Sequence, residues 1–232
     1  MTESPDPALV AQLAGTLAVV RGRIAAACLS CGRDPQSVEL VAVSKTQPIA
    51  SVRAAYAAGQ RVFGENYVQE LVSKAAACAD LEGIRWHFIG HLQRNKAKDV
   101  ARVGATIETV DSVRLAEALN ERATQDGRSL AVFLQVNVDG EAQKSGCAPA
   151  EVGAIVAAIR ALPALSLDGF MTVPRAEIDP RAAFAELRAL AREHDVAHLS
   201  MGMSSDLEAA IAEGATHVRV GTAIFGARVR PV

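Results

Sequence analysis

The chain has 232 residues with 24 basic and 26 acidic side chains, a formal net charge of −2, and is 50% hydrophobic but only 4% aromatic. A near-neutral balance without a long basic block argues against nucleic-acid binding as the main function. The longest apolar run considered, residues 152–167, is interrupted by Arg160 and falls short of the ~20 residues that span a bilayer. No basic residue precedes Arg21, unlike in a secretory signal, so we expect a soluble, cytoplasmic protein.

The first predicted element is a helix, and the rest of the chain alternates between short strands and helices. Apolar residues recur at three- and four-residue steps from Leu9 to Ile24, and Gly32 follows the end of this helix. Runs rich in β-branched residues predict strands over 40–44, 61–64, 85–89, 105–110, 131–138, 166–172, 197–200 and 216–221. Alanine-rich amphipathic segments predict helices over 49–58, 68–79, 113–124, 150–161, 180–193 and 206–213.

Eight strands that alternate with helices predict parallel pairing through right-handed crossovers. Their number favours an α/β fold with a single closed (β/α)8 TIM barrel and an extra N-terminal helix. An open, doubly wound sheet is the alternative, but no Gly-rich dinucleotide fingerprint follows the first strand. Because no linker divides the chain, we expect one domain over 1–232, with the helix in 1–33 and the barrel in 39–228.

The four cysteines are too few and too scattered for a disulfide scaffold. Cys28 and Cys31 form a C-x-x-C pair, but neither Cys78 nor Cys147 has a neighbouring Cys or His to complete a metal site. The pair also ends a helix, whereas a redox motif of the thioredoxin type opens one after a strand. We therefore expect no metal and interpret these side chains as structural.

In a (β/α)8 barrel, chemistry takes place at the carboxyl ends of the strands. The residues at the ends of the predicted strands are mostly polar: Lys45, Asn66, His87, His91, Asp111, Asn137, Met171, Thr172, Ser200 to Ser204, and Arg219 to Thr222. Lys45, Asn66 and His87 are 21 residues apart, which is about one βα unit. We expect these three side chains to share one mouth of the barrel.

Lys45 is the main candidate for covalent chemistry. The other four lysines are Lys74, Lys96, Lys98 and Lys144. All four fall in predicted helices or polar loops, where we expect solvated charges, whereas Lys45 ends an apolar run. Desolvation lowers the pKa of a lysine, and a Schiff base with an aldehyde requires the neutral amine. On the strand pattern alone, a lysine that extends into solvent is an equally good interpretation.

The C-terminal segments supply a candidate anion site. Residues 200–204 lie where the seventh strand turns into a helix, and residues 220–223 open the last short helix. Backbone N–H groups at such turns bind phosphates in many barrels. A ligand with an aldehyde at Lys45 and a phosphate at this end has the shape of pyridoxal 5′-phosphate (PLP). Arg219 could then donate to the pyridine nitrogen, although pairing with a barrel carboxylate is an equally good interpretation.

Several motifs, in this order, resemble those of the pyridoxal phosphate homeostasis proteins, a family of PLP-binding barrels. They are AVSKT at 42–46, FGENYVQE at 63–70, WHFIGHLQRNK at 86–96, KSGC at 144–147, LSMGMS at 199–204 and VRVGTAIFG at 218–226. The match runs from about residue 40 to residue 228, which is most of the chain. One departure is Phe170 before Met171, where the family more often has leucine, and it concerns barrel packing more than binding.

The resemblance implies a barrel like the N-terminal domain of alanine racemases, with PLP as its cofactor. The cofactor-binding residues that it implies are Lys45, Asn66, Met171, Ser200, Ser204, Arg219, Gly221 and Thr222. Lys45 would form the aldimine and Arg219 would face the pyridine nitrogen. Ser204, with the amides of Gly221 and Thr222, would hold the phosphate. Asn66 and Met171 would line the ring, with Ser200 nearby.

Two polar segments leave their roles open. The motif GHLQRNK at 90–96 could form a basic rim for a partner or a second ligand. We favour the start of a helix, with Gln93 and Asn95 as capping residues. Lys144, in a predicted flexible loop, has the same ambiguity.

Enzyme and carrier are the two functional classes that remain. A racemase needs a base on each face of the cofactor, commonly the Schiff-base lysine and a tyrosine. Tyr56 lies on the outside of a predicted helix and Tyr67 follows Asn66 at the mouth. We expect no second domain after Phe225 that could supply a base. A barrel enzyme that uses Lys45 on a phosphorylated sugar is a further alternative, but it leaves the C-terminal motifs unexplained.

The resemblance instead implies a non-catalytic PLP binder that serves intracellular vitamin B6 homeostasis. An accessible mouth and a reversible covalent bond suit this role, because the free aldehyde reacts with other amines. We expect no catalytic residues, a monomer, transient contact with apo forms of PLP enzymes, and neither nucleic acid nor membrane as a partner.

Overall fold

The computed structural model describes residues 5–140, 145–175 and 178–226, in which eight parallel strands close into a barrel in the order β1 to β8. The strands are β1 Glu39–Val43, β2 Val62–Glu65, β3 Arg85–Phe88, β4 Thr106–Val110, β5 Leu130–Gln135, β6 Leu165–Met171, β7 His198–Ser200 and β8 His217–Val220. The helices are α1 Pro7–Ser30, α2 Ile49–Ala57, α3 Val68–Ala77, α4 Ala97–Val103, α5 Val113–Gln125, α6 Val152–Arg160, α7 Arg181–Glu193, α8 Leu207–Ala212 and α9 Thr222–Phe225. The predicted (β/α)8 barrel is confirmed, and the open-sheet alternative is wrong.

The sheet closes between the first and the last strand. β1 pairs with β8 in parallel, so that Leu40 lies opposite Val218 and Val41 lies opposite Arg219. Since every other strand pairs with its neighbours in the sequence, all carboxyl ends meet at one rim of the barrel. Residues that follow different strands are thereby brought together at this rim.

The main apolar core lies between the strands and the helices that surround them. Leu71 of α3, Leu119 of α5 and Phe184 of α7 are fully buried there. The inside of the barrel is different, because it also holds charged side chains, among them Glu108 and Arg219, which are both buried. Charges in this position need partners, and these partners shape the candidate site.

Helix α1 packs on the outside of the barrel with one face. Its buried residues recur at three- and four-residue steps, from Leu13 through Leu17 to Ile24. Asp6 caps the helix by accepting a hydrogen bond from the amide of Ala8 at 2.9 Å. Near the other end, Cys28 is buried in the same face.

The expectation that no segment is long and apolar enough to cross a membrane is wrong for α1. This helix has 24 residues with a mean hydropathy of 1.4 in its best window, of which 33% is buried. Length and composition are weak evidence, because a core helix of a soluble protein meets the same criteria. The buried stripe of α1 gives a packing reason for its apolar composition.

The connection between β3 and β4 holds a helix that the sequence pattern did not define. Helix α4 spans seven residues and follows a 3₁₀ turn at Arg94–Lys96. A 3₁₀ turn therefore starts within the 90–96 motif and contains Asn95, whereas α4 itself starts at Ala97, just after the motif. Capping by Gln93 is wrong, because Gln93 stands before the turn without a capping hydrogen bond from its side chain.

Candidate functional site

A cavity of about 360 Å³ lies at the carboxyl ends of the strands. Six of the eight implied cofactor residues line it: Lys45, Asn66, Ser204, Arg219, Gly221 and Thr222. Its volume falls within the range of small-molecule sites, about 300–1,000 Å³. A second cavity, of about 450 Å³, lies at the opposite end between α1 and the start of the barrel, and none of the implied residues lines it.

The remaining two implied residues do not line the cavity. Met171 ends β6 and Ser200 ends β7, where they are paired across the sheet. Both are fully buried, with 1% and 0% of their surface exposed. The structure therefore brings six implied residues together around one space and leaves these two to support it.

Lys45 lies two residues beyond the end of β1, in a tight turn. The amide of Gln47 donates to the carbonyl of Ser44 at 3.0 Å, which closes the turn around Lys45. Thr46 adopts a left-handed conformation with φ of 63°, which is rare for a β-branched residue. Lys45 itself is half-buried and lines the cavity.

Lys74 corrects an expectation, because it is not solvated. Only 4% of its surface is exposed, and its Nζ donates to Glu65 Oε1 at 2.8 Å and to Glu70 Oε2 at 2.7 Å. It also donates to the carbonyl of Ser44 at 2.7 Å. The helical pattern indicated an exposed lysine because it could not show that this face of α3 covers the end of β1.

The two carboxylates around Lys74 respond differently to their surroundings. Burial raises the pKa of Glu65, and the hydrogen bonds from Lys74 and Ser44 offset only part of this effect. Burial acts in the same direction on Glu70, but the hydrogen bonds from Lys74 and from the amide of Thr46 lower its pKa overall.

Arg219 connects the cavity with a network of buried polar groups. Its Nη1 donates to Ser200 Oγ at 2.6 Å and its Nη2 donates to the carbonyl of Thr172 at 2.8 Å. Ser200 Oγ in turn donates to Glu108 Oε2 at 2.5 Å. The other oxygen of Glu108 lies 2.6 Å from His87 Nδ1. Arg219 thus lines the cavity and also pairs with the barrel carboxylate Glu108 at 3.9 Å, while donation to a pyridine nitrogen stays a prediction.

Electrostatics keep this network charged. Burial alone would raise the pKa of Glu108, but the hydrogen bond from His87 and the charges of His87 and Arg219 lower it to about 2. Burial lowers the pKa of Arg219, and the negative charge of Glu108, 3.9 Å away, acts against that effect. An arginine stays protonated in proteins, so a permanent positive charge lies at the wall of the cavity.

His87 does not share the mouth with Lys45 and Asn66, and this expectation is wrong. It lies within β3 and faces the inside of the barrel, where its ring is 5.9 Å from that of His217. With His217 and His198 it lines a cavity of about 340 Å³ at the amino ends of the strands. A spacing of one βα unit brings residues to the same region, but it does not settle at which depth of the barrel each lies.

Other residues near the carboxyl rim have structural partners. Thr172 is buried and its hydroxyl donates to the carbonyl of Val136 at 2.9 Å. His91 is exposed, with its Nδ1 3.1 Å from Ser145 Oγ. Lys144 lies outside the described residues.

Asn66 has a side-chain oxygen that could accept a hydrogen bond from a ligand. Its Oδ1 is buried and has no hydrogen-bond partner within the described residues. The backbone of Asn66 is held by Gly90, where a Cβ atom would come within 2.0 Å of the Asn66 carbonyl oxygen. The carbonyl of Gly90 accepts a hydrogen bond from Thr109 at 2.7 Å. Part of the 90–96 motif thereby gains a role in positioning Asn66.

The end of the cavity where the resemblance implies a phosphate is built from two tight loops. Gly202 has φ of 92°, and a Cβ there would come within 2.5 Å of Ala210, so the turn before Ser204 needs glycine. At Gly221 a Cβ would lie 3.2 Å from the carbonyl oxygen of Val43, which brings this loop close to the strand that carries Lys45. Helix α9 has only four residues, so anion binding here depends on individual N–H groups more than on a helix dipole.

These features fit PLP. The cavity has the size of a small-molecule site, an amine at one side and a fixed positive charge at another. A buried amide oxygen without a partner and small residues that allow close approach complete the set.

Residues that the sequence analysis missed are Glu65, Glu70, Lys74 and Glu108, all of which support cavity residues from behind. Each belongs to a strand or helix whose pattern indicates only packing. The FGENYVQE motif contains two of them, and this was the available signal.

Comparisons with known proteins show the family to which the chain belongs. The sequence profile of the family described as "Alanine racemase, N-terminal domain" matches residues 30–229. The chain is 49% identical over 221 residues to the "Pyridoxal phosphate homeostasis protein" of Pseudomonas aeruginosa, covering 93% of this chain and 96% of that protein. It is 44% identical over 226 residues to the protein of the same name from Escherichia coli K12, covering 93% and 97%. The structure of PipY from Synechococcus elongatus PCC7942, solved with PLP bound, matches with a TM-score of 0.83 and 40% identity, covering 93% of this chain and 100% of that one.

Proposed function

The chain belongs to the pyridoxal phosphate homeostasis protein family, and from this premise we propose that it is a PLP-binding protein for vitamin B6 homeostasis. It acts as one barrel domain with α1 attached, and it holds the cofactor covalently on Lys45 without catalytic turnover. The observation that carries this proposal is the single cavity lined by Lys45, Arg219 and the C-terminal loops.

Each cavity residue has a role that its surroundings support. Lys45 supplies the amine, and the cofactor when bound supplies an aldehyde that an amine joins with loss of water. Arg219 would face the pyridine nitrogen, where its positive charge would disfavour protonation of the ring. Ser204, with the amides of Gly221 and Thr222, would hold the phosphate.

The other implied residues complete the binding surface. Asn66 contributes its buried Oδ1 to the ring side of the cavity. Ser200 accepts a hydrogen bond from Arg219 at 2.6 Å and would act through it. The buried Met171 would support the ring side of the cavity.

The carrier role is supported by the groups that line the cavity. Its titratable side chains, within the described part of the chain, are Lys45 and Arg219. Tyr56 donates to the carbonyl of Glu82 at 2.7 Å, and Tyr67 is 53% exposed and does not line the cavity. A racemase needs two bases, one on each face, and these residues offer one.

The same proposal includes the setting in which the protein works. We infer a cytoplasmic monomer that exchanges its cofactor with apo forms of PLP enzymes through transient contact. The half-buried position of Lys45 at an open rim suits this exchange, because a recipient can approach the bound aldehyde.

The experiment that tests the site is covalent mapping. The protein is incubated with PLP, reduced with borohydride, digested and analysed by mass spectrometry. We expect one label, at Lys45, and its loss in Lys45→Ala with an unchanged circular dichroism spectrum. Lys98 is an exposed lysine, so Lys98→Ala is the matched control and should keep the label at Lys45. Labels spread over several lysines would refute the site.

A separate assay tests the absence of turnover. The purified protein, loaded with PLP, is incubated with L-alanine and the D-isomer is measured over time. We expect a rate equal to that of Lys45→Ala. Turnover well above this control would support the racemase alternative.

A further inference from the structure

Three side chains from β2 and α3 hold the residues on both sides of Lys45. Lys74 Nζ donates to the carbonyl of Ser44 at 2.7 Å, and Ser44 Oγ donates to Glu65 Oε1 at 2.6 Å. On the other side, the amide of Thr46 donates to Glu70 Oε2 at 2.8 Å. Lys45 therefore lies between two residues whose backbone or side chain is fixed by the same cluster.

The cluster is itself held together by Lys74. Its Nζ lies 2.8 Å from Glu65 and 2.7 Å from Glu70, and Glu65 is fully buried. The ammonium group has three N–H donors, and the cluster supplies three acceptors, two of them carboxylates. All three N–H groups of Lys74 are therefore engaged, and its nitrogen lies close behind the turn that carries Lys45.

The turn needs this support, because Thr46 has φ of 63°. Residues with a branched Cβ rarely adopt this conformation, and it persists where the surroundings determine it. The hydrogen bond from the Thr46 amide to Glu70 fixes the orientation of that peptide. It is a charge-assisted bond and therefore stronger than a bond between neutral groups.

We propose that Lys74, with Glu65 and Glu70, is a positioning residue that fixes the turn at 44–46 and thereby aims the amine of Lys45 into the cavity. This inference rests on the proposed function, since it concerns the lysine that would bind PLP. Lys74 takes no part in bond formation.

The test measures how fast Lys45 captures PLP in variants of the cluster. Glu70→Ala removes the acceptor for the Thr46 amide and leaves the buried pair of Lys74 and Glu65 in place. We expect about tenfold slower labelling of Lys45 after borohydride quenching, since small misplacements of a reacting group cost up to about a hundredfold in rate. Glu70→Gln retains an acceptor oxygen and should restore most of the rate. Glu117→Ala, an exposed residue of α5, is the matched control.

A second readout needs no cofactor. The rate at which acetic anhydride modifies Lys45 is measured by mass spectrometry in the apo protein over a range of pH. We expect a shifted pH profile for Lys45 in Glu70→Ala and an unchanged profile for the exposed Lys98. A cluster with a merely structural role would change the melting temperature and leave this profile unchanged.

Variants of Lys74 extend the test to the centre of the cluster. Lys74→Met leaves Glu65 buried without its cation, so the double variant Lys74→Met/Glu65→Gln removes both charges together and keeps an acceptor for Ser44. We expect slow labelling of Lys45 in the folded double variant. Wild-type rates and pH profiles in folded Glu70→Ala and in the double variant would overturn the inference. If the wild-type protein were not labelled at Lys45, the proposed function itself would fail.

Discussion

Two buried cations flank the cavity, Lys74 on the β1 side and Arg219 on β8, and they serve it differently. Lys74 lies behind the backbone of the turn at 44–46, and its ammonium group donates hydrogen bonds to three acceptors that hold this turn. Arg219 reaches the cavity wall itself, and its partners, Ser200 and the carbonyl of Thr172, leave its positive charge beside the ligand space. One cation organises the chain, and the other is part of the binding surface.

Their carboxylate partners show what determines the charge of a buried acid. Glu65 and Glu108 are both fully buried, yet burial raises the pKa of Glu65 whereas that of Glu108 is lowered to about 2. Glu108 is in contact with His87 and Ser200 through one oxygen each, with Arg219 close by. Oε2 of Glu65 has no hydrogen-bond partner within the described residues. Each acid accepts hydrogen bonds from two donors, so the charges around it decide its state more than its depth does. Glu108 has His87 and Arg219 beside it, whereas Glu65 shares the single cation Lys74 with Glu70.

Removal of the cation on β8 is expected to have the largest effect on stability. Arg219→Met leaves Glu108 charged and buried, so we expect a loss of about 4 kcal/mol in the free energy of unfolding, measured with urea on the apo protein. The double variant Arg219→Met/Glu108→Gln removes both charges and should recover most of this loss. A double variant no more stable than the single one would show that the charge of Glu108 is not the cause.

Neutral variants of Glu65 and Glu108 test whether the two buried acids differ in charge state. Glu108→Gln at pH 7 should cost about 3 kcal/mol, because the fold lowers the pKa from 4.5 to about 2 and so stabilises the charged form. This stabilisation is present above the unfolded pKa and is lost as the pH falls toward 2. Glu65→Gln should leave the free energy of unfolding unchanged or higher, since the fold favours the protonated form of Glu65. Equal losses in both variants would contradict this account.

A smaller effect is expected at the amino end of the barrel. Burial lowers the pKa of His217 to about 4, and the nearby charges of Glu108 and His87 modify it in opposite directions. The unfolded chain therefore binds a proton that the folded one excludes, and stability falls as the pH drops from 6.5 toward 4. We expect about 2 kcal/mol to be lost between pH 6.5 and pH 4.5 through this group.

The measurement compares urea unfolding of the wild type and of His217→Gln at several pH values. The variant should have a shallower loss of stability over this window, because it lacks the titrating group. His91→Gln, at the exposed carboxyl rim, is the control and should retain the wild-type slope. Identical slopes for all three proteins would mean that His217 is not the acid-sensitive group.

The barrel could be predicted from the sequence because its signals are local and repeated. Strands 39–43 and 217–220 were predicted to within about one residue, since β-branched runs and helix-ending glycines mark both. Helix α4 was harder to predict, because it has seven residues and follows a 3₁₀ turn instead of a capping residue. The apolar length of α1 does not stand out as an uncharged run, because Arg21 and Arg23 interrupt the segment.

The site could be predicted as far as its residues follow strands. Lys45, Asn66 and Arg219 meet at one cavity because parallel strands end at one rim. The partners behind them could not be predicted, because Lys74 and Glu108 lie on elements whose sequence pattern indicates packing alone. His87 was misplaced for a related reason, since spacing along the chain does not determine depth within a barrel.

The pairing of β1 with β8 has a consequence for when the site comes into existence. Lys45 follows the first strand and Arg219 lies on the last, and these two strands are neighbours only at the seam that closes the barrel. During synthesis, more than 170 residues separate the emergence of the amine from that of its facing cation, as the numbering shows. In an incomplete chain, or in one whose barrel has not closed, the lysine therefore lacks the arginine beside it. Binding of the ligand in this cavity thus also indicates that β1 and β8 have paired.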